Sequence, residues 1–144
     1  MTIGTELHAD HERLDALFQD VIEASEADVS TDVLGASWTR FEDAVRAHFE
    51  AEETHLFPRM AKTHPEDVAR LREEHAEILR LLLALDLQVD LHLIRHPTVV
   101  DAMARLRAHA ASEDATVYAW ADALPAEHRR PLIAAVRELL NPKR

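Results

Sequence analysis

Cysteine is missing from the 144-residue chain. Its absence excludes a disulfide, a thiolate metal site and a cysteine nucleophile, and leaves the redox compartment open. Glycine is nearly missing as well: two residues, beside 47% hydrophobic and 30% charged residues, suit a compact helical protein. Positive charge is outnumbered, 16 Lys and Arg against 27 Asp and Glu for a formal net charge of −11. That balance argues against nucleic acid or an anionic membrane as a partner held by charge. No unbroken apolar run is long: the longest stretch, "ILRLLLALDLQVDLHLI", is interrupted by Arg80, Asp86, Asp90 and His92, so no membrane span is expected. The opening residues "MTIGTELHADHERL" have neither a basic n-region nor an apolar h-region, so no signal peptide is expected and the cytoplasm is the expected location. A chain of this length is expected to form one domain, residues 1–144, with enough residues to bury a core.

What the chain does contain is helical period. Leu7, His11, Leu14, Phe18 and Val21 recur at spacings of three and four, with Thr5 as the expected N-cap. "ASEADVSTD" reads as a polar connection in which Ser30, Thr31 or Asp32 can cap a second helix from about Asp32 to Met60. That helix sets Leu34, Trp38, Phe41 and Val45 on one stripe. "KTHPED" is a turn with Pro65 suited to the first position of a third helix, whose stripe is Val68, Leu71, His75, Ile78, Leu82, Leu85 and Val89. "LIRHPT" ends it, and Pro97 opens a fourth helix with Val99, Met103, Leu106, His109, Glu113, Val117 and Trp120. Leu132, Ile133, Val136, Leu139 and Leu140 mark a short amphipathic segment at the C-terminus. No segment offers strand alternation or a hairpin turn pair. The pattern predicts an all-α, up-down-up-down four-helix bundle over about residues 5–122, with a short C-terminal fifth helix over about 126–141 covering one side of the core.

Ionisable residues fall on the inner stripes. Each helix carries an inward histidine: His11, His48, His75 and His109. Helices two and four add a carboxylate one turn later, Glu52 and Glu113, in "HFEAE" and "HAASE"; at i and i+4 the paired side chains share a face. Counted from turns near residues 28, 63 and 95, these positions lie within about 8 Å of one height at 1.5 Å per residue. The chain also repeats itself. "ADHERLDALF" resembles "EEHAEILRLL", and "RAHFEAEETHLF" resembles "RAHAASEDATVY", aligning His11 with His75, His48 with His109 and Glu52 with Glu113. Two helical hairpins would then build a pseudo-twofold site. A hydrogen-bonded polar network is the competing reading. However, four imidazoles and two carboxylates in one buried layer carry a large desolvation cost without compensating partners. Metal coordination accounts for residue types, spacing and repeat together. Nitrogen and carboxylate donors without sulfur suit iron, manganese or zinc. Bridging carboxylates favour a di-metal centre with iron as the best candidate, whereas mononuclear zinc leaves the duplication unexplained.

The spaced set formed by the lone His of "DHERL", "HFEAEETHLFP", the lone His of "EEHAEIL" and "HAASED" resembles the hemerythrin-like, or HHE cation-binding, family over about residues 5–122. The resemblance implies a non-haem di-iron centre that binds dioxygen or reacts with oxygen species. It implies His11, His48, Glu52, His75, His109 and Glu113 as ligands to two iron ions, bridged by Glu52, Glu113 and an oxo or hydroxo group. The chain departs from the family's oxygen carriers in two places. They place a second histidine one turn from the third-helix histidine, where this chain has Leu71 and Leu79. They end the last motif in an aspartate that Asp114 would match, although the internal repeat favours Glu113. One imidazole fewer points to an accessible coordination position.

His55 is expected to donate a hydrogen bond to one of the ligands without binding metal itself, with an extra ligand or a polar end to the core as alternatives. His8 is either exposed or orients a ligand, and Tyr118 packs, gates the site or donates to a bound oxygen species. His64, His92, His96 and His128 fall in or near turns and are expected to be solvated. The leading functional expectation is a di-iron protein that binds or senses dioxygen, peroxide or nitric oxide, as a monomer or homodimer. The alternatives are a catalase-like or ferroxidase enzyme, decomposing peroxide or oxidising ferrous iron at the same centre, and an iron store.

Overall fold

The computed structural model describes residues 2–27, 31–91, 93–94 and 96–141. The chain runs through α1 (Ile3–Glu26), α2 (Thr31–Ala51), a π turn (Glu52–Leu56), α3 (Phe57–Met60), α4 (Pro65–Asp90), α5 (His96–Ala115), α6 (Val117–Asp122) and α7 (Ala126–Leu140). Among the described residues there is no strand, and no helix is long and apolar enough to cross a membrane. The architecture is the expected all-α bundle: α2 continues through the π turn into α3, α5 continues into α6, and α7 lies across α2, the π turn and α1.

Two helix starts depart from expectation. Thr2, not Thr5, is the N-cap of α1; its side chain accepts from the Thr5 N–H while the Thr5 hydroxyl accepts from the Thr2 N–H. The apolar period that begins at Leu7 points to Thr5 as the cap, but Ile3 is already buried and extends the helix by one turn. His96, one residue before Pro97, opens α5. Pro65 takes the first position of α4 as expected, where its missing N–H has no helical acceptor to lose. Ser30 and His92 lie outside the described residues, as does the side chain of His96.

The expected stripes are the core. Phe18 stacks on Phe41 at 4.6 Å between ring centroids, with Trp38 against Phe41; Trp38 satisfies its indole N–H by donating to Asp86 Oδ1 at 2.7 Å. These rings belong to a cluster with Leu34, Val45, Ile78, Leu82, Leu85 and Val99 at one end of the bundle. A second cluster, with Ile3, Leu7, Leu56, Phe57, Leu71, Val117 and Tyr118, fills the other end under Leu132 and Val136 of α7. The apolar core is therefore in two parts, and a polar layer lies between them.

Two helices deform where they leave that layer. After Glu52 the chain makes a π turn, closed by the Phe57 N–H donating to the Glu52 carbonyl five residues back. After Glu113 it breaks at Thr116, with φ −121° and ψ −88°, separating α5 from α6. The extra residue of a π turn advances the inward-facing position by one. Leu56 and Phe57, both fully buried, take the places that an uninterrupted helix would have given His55.

Candidate metal centre

The six candidate ligands converge from all four long helical segments. His11 projects from α1, His48 from the last turn of α2, Glu52 from the start of the π turn, His75 from α4, and His109 and Glu113 from α5. His48, Glu52 and Glu113 are 0% exposed and His75 1%. Their donor atoms form two groups, His11–His48–Glu52–Glu113 and Glu52–His75–His109–Glu113, each with atoms within 4.8 Å of one another. Both carboxylates belong to both groups. A carboxylate has two oxygens and can face two cations at once, so this sharing is the arrangement a two-metal site needs.

The second group shows the chemistry most openly. Glu52 Oε1, His75 Nε2, His109 Nε2 and Glu113 Oε2 are buried and have no hydrogen-bond partner. His75 Nε2 lies 3.2 Å from Glu52 Oε1 and 3.5 Å from Glu113 Oε2. These atoms are close but not aligned to bond each other. Four unpartnered polar atoms in one buried cluster would each carry a desolvation cost of about 1–3 kcal/mol. A bound cation satisfies all four together, so the donor set fits a metal ion at this position.

A ring of outer carboxylates orients the imidazoles. Asp10 Oδ2 lies 2.7 Å from His48 Nδ1, Glu53 Oε2 2.7 Å from His75 Nδ1, and Glu74 Oε1 2.8 Å from His109 Nδ1. Asp114 completes the circuit more loosely, 3.6 Å from His11 Nδ1, with its other oxygen 3.0 Å from His8 Nδ1. Each carboxylate is the sequence neighbour of an inner-layer residue and serves a histidine on another helix: Asp10 beside His11, Glu53 beside Glu52, Glu74 beside His75, Asp114 beside Glu113. Adjacent residues on a helix point about 100° apart, so one faces the centre while the next faces the neighbouring helix. A carboxylate on Nδ1 fixes the tautomer that presents an Nε2 lone pair inward.

Charge is held in balance within the layer. Burial alone would depress His48, but the Glu52 carboxylate and the Asp10 hydrogen bond outweigh it and push its pKa up to about 10. Burial opposes His75 in the same way, and Glu113 and Glu52 push it up to about 10. His109 is raised by Glu113 against its burial. Burial favours a protonated Glu113, yet the imidazoles of His109, His11 and His75 beside it hold its carboxyl well below the usual carboxylate range. Burial and then the charges of Glu113 and Glu52 push the Tyr118 phenol well above its ordinary value. Without a cation, then, protons carry the positive charge that the two inner carboxylates demand.

The remaining histidines divide differently from expectation. His8 is exposed, and its hydrogen bond goes to Asp114 and not to one of the six candidate ligands. Among the described residues His55 makes no hydrogen bond to any of the six; the π turn rotates it off the inner stripe. His64 is half-buried and stacked on Trp120 at 3.6 Å, whereas His128 is exposed. Sequence reasoning missed Asp10, Glu53 and Glu74, because an acidic residue beside an inward position on a helix ordinarily carries solvated charge.

A helical bundle with a buried His/Glu layer that can hold cations is the architecture of a metal-binding protein. The hemerythrin HHE cation binding domain model matches residues 2–121, and the chain belongs to that family. Neither a curated protein nor a solved structure matches the chain.

Proposed function

We propose that this chain is a non-haem di-iron protein that binds or senses dioxygen, peroxide or nitric oxide. The observation that carries the reading is the pair of four-donor groups sharing Glu52 and Glu113. His11 and His48 would hold one ion, His75 and His109 the other, and the two glutamates would bridge them. Iron at this position would supply a redox-active Lewis acid able to bind a diatomic ligand or peroxide. The protein supplies the rest. The outer carboxylates hold the imidazoles in the ligating tautomer, and the two apolar clusters keep bulk water from the layer.

A cavity of about 50 Å³ opens beside the layer, lined by His11, His48 and His109 together with Leu14, Phe18 and Met103. Its volume suits a few small atoms and no organic substrate, and its apolar walls suit an uncharged diatomic. The Arg107 guanidinium, bonded to Asp15 at 2.8 Å, stands at its rim. Leu71 and Leu79, which stand where an oxygen carrier has a further histidine, pack with the two apolar clusters. The second ion would therefore have two imidazoles and two carboxylates, leaving coordination positions for a ligand.

The test is the optical spectrum of iron-loaded protein under dioxygen, peroxide and nitric oxide, with turnover of peroxide and of ferrous iron followed beside free-iron controls. A ligand-dependent spectral change without turnover is expected. Rapid turnover would transfer the reading to an enzyme, and protein without stoichiometric iron would refute it.

A further inference from the structure

The two halves of the chain match in more than their ligands. The alignment that sets Glu52 against Glu113 also sets Phe57 against Tyr118. Phe57 lies against His75 with ring centroids 5.1 Å apart, and Tyr118 lies against His11 at 5.3 Å. The two rings thus hold equivalent places beside the lone histidine of each hairpin, and they differ by one hydroxyl.

That hydroxyl breaks the symmetry of the layer. Tyr118 Oη is 2.6 Å from Glu52 Oε2, 3.0 Å from His11 Nε2, 3.1 Å from His48 Nε2 and 3.3 Å from Glu113 Oε1. It touches every member of the first group and lies among their donor atoms. One phenol donates a single hydrogen and its oxygen accepts from at most two N–H groups, so it cannot bond all four neighbours at once. On the Phe57 side nothing polar enters, and the four donors of the second group stay unpartnered.

We propose that Tyr118 is itself a metal ligand: its phenolate oxygen binds the ion held by His11, His48, Glu52 and Glu113, making the two metal positions chemically unequal. Coordination replaces the phenol O–H bond with an O–metal bond, the proton leaves to solvent, and no oxidation state changes in that step. An additional anionic oxygen favours the ferric state at this position over the one beside Phe57. The inference rests on the reading of the layer as an iron site.

Tyr118 is the only tyrosine in the chain, so a phenolate signal has one source. The experiment loads the full chain with iron, counts iron per chain, oxidises it and records visible absorption and resonance Raman spectra. A phenolate-to-ferric charge-transfer band with enhanced phenolate ring modes is expected, and ring-deuterated tyrosine should shift those modes. In Tyr118→Phe the band and modes should vanish while two iron ions per chain remain, because the position beside Phe57 is built from the same kinds of donor without a phenol. Iron-loaded wild-type protein without phenolate modes overturns the inference and leaves the iron reading standing. A band that persists in Tyr118→Phe overturns it too, and a chain that takes up no iron overturns both. The wild-type spectrum decides the matter by itself if the variant fails to fold.

Discussion

Replacing one carboxylate of the outer ring by its amide isolates what orientation of the imidazoles contributes to metal binding. Glu53→Gln keeps the size of the side chain but removes the charge 2.7 Å from His75 Nδ1. Such outer partners change metal affinity about 10–100-fold, or about 1.4–2.7 kcal/mol. Burial ranks the ring. The Glu53 side chain is 38% exposed and partly screened, whereas Asp10, beside His48 at 2.7 Å, is 7% exposed. Glu53→Gln should therefore fall near the tenfold end and Asp10→Asn near the hundredfold end. The two also act on different groups, since His75 belongs to one and His48 to the other. Competition against a chelator, with zinc or cobalt as probe, should become biphasic in each variant, with only one step weakened. Glu50→Gln, an exposed neighbour of His48 on the same helix, should leave both steps unchanged. Affinities within about threefold of wild type in both ring variants would refute the orienting role, whatever the metal content.

Metal removal should lower stability, because binding to the native state alone adds about 4 kcal/mol at a thousandfold excess over Kd. For a chain of this size the melting temperature should fall by on the order of 10 °C on chelation, and an unchanged melt would contradict a penalty for the empty layer. Protons compete for the same nitrogens: with His48 and His75 pushed up to about 10, metal uptake must displace them. Apparent affinity should therefore rise with pH between 6 and 8, a dependence that chelator competition at several pH values would detect. Phe41→Ala removes a fully buried ring stacked on Phe18, and should cost about 3–5 kcal/mol in urea unfolding. Because its cluster lies at one end of the bundle, metal content per folded chain should stay as in wild type.

Periodicity made most of the fold legible, since every inward residue named on the third helix, from Val68 to Val89, is buried. It failed where the backbone leaves the 3.6-residue period. The π turn after Glu52 changes which residue faces inward, and no apolar pattern announces it because Leu56 and Phe57 extend the run either way. His55 was misplaced for that reason. At Thr116 the break follows the matching point of the internal repeat, a correspondence visible only once the π turn is known. The six inner residues were legible because ionisable groups interrupted an apolar stripe. The outer ring was not, because Asp10, Glu53 and Glu74 sit where a helix ordinarily carries solvated charge. The place of Tyr118 depends on α6 turning its ring into the layer, which spacing alone does not fix.

The count of metal ions per chain tests the central claim most directly. Protein produced with ample iron and analysed by elemental mass spectrometry against an amino-acid-based concentration should contain two ions per chain. Glu52→Ala, which removes a donor common to both groups, should lose both, and His75→Ala should lose one. A wild-type chain with one ion, or with none, would contradict a centre built from two groups that share their carboxylates.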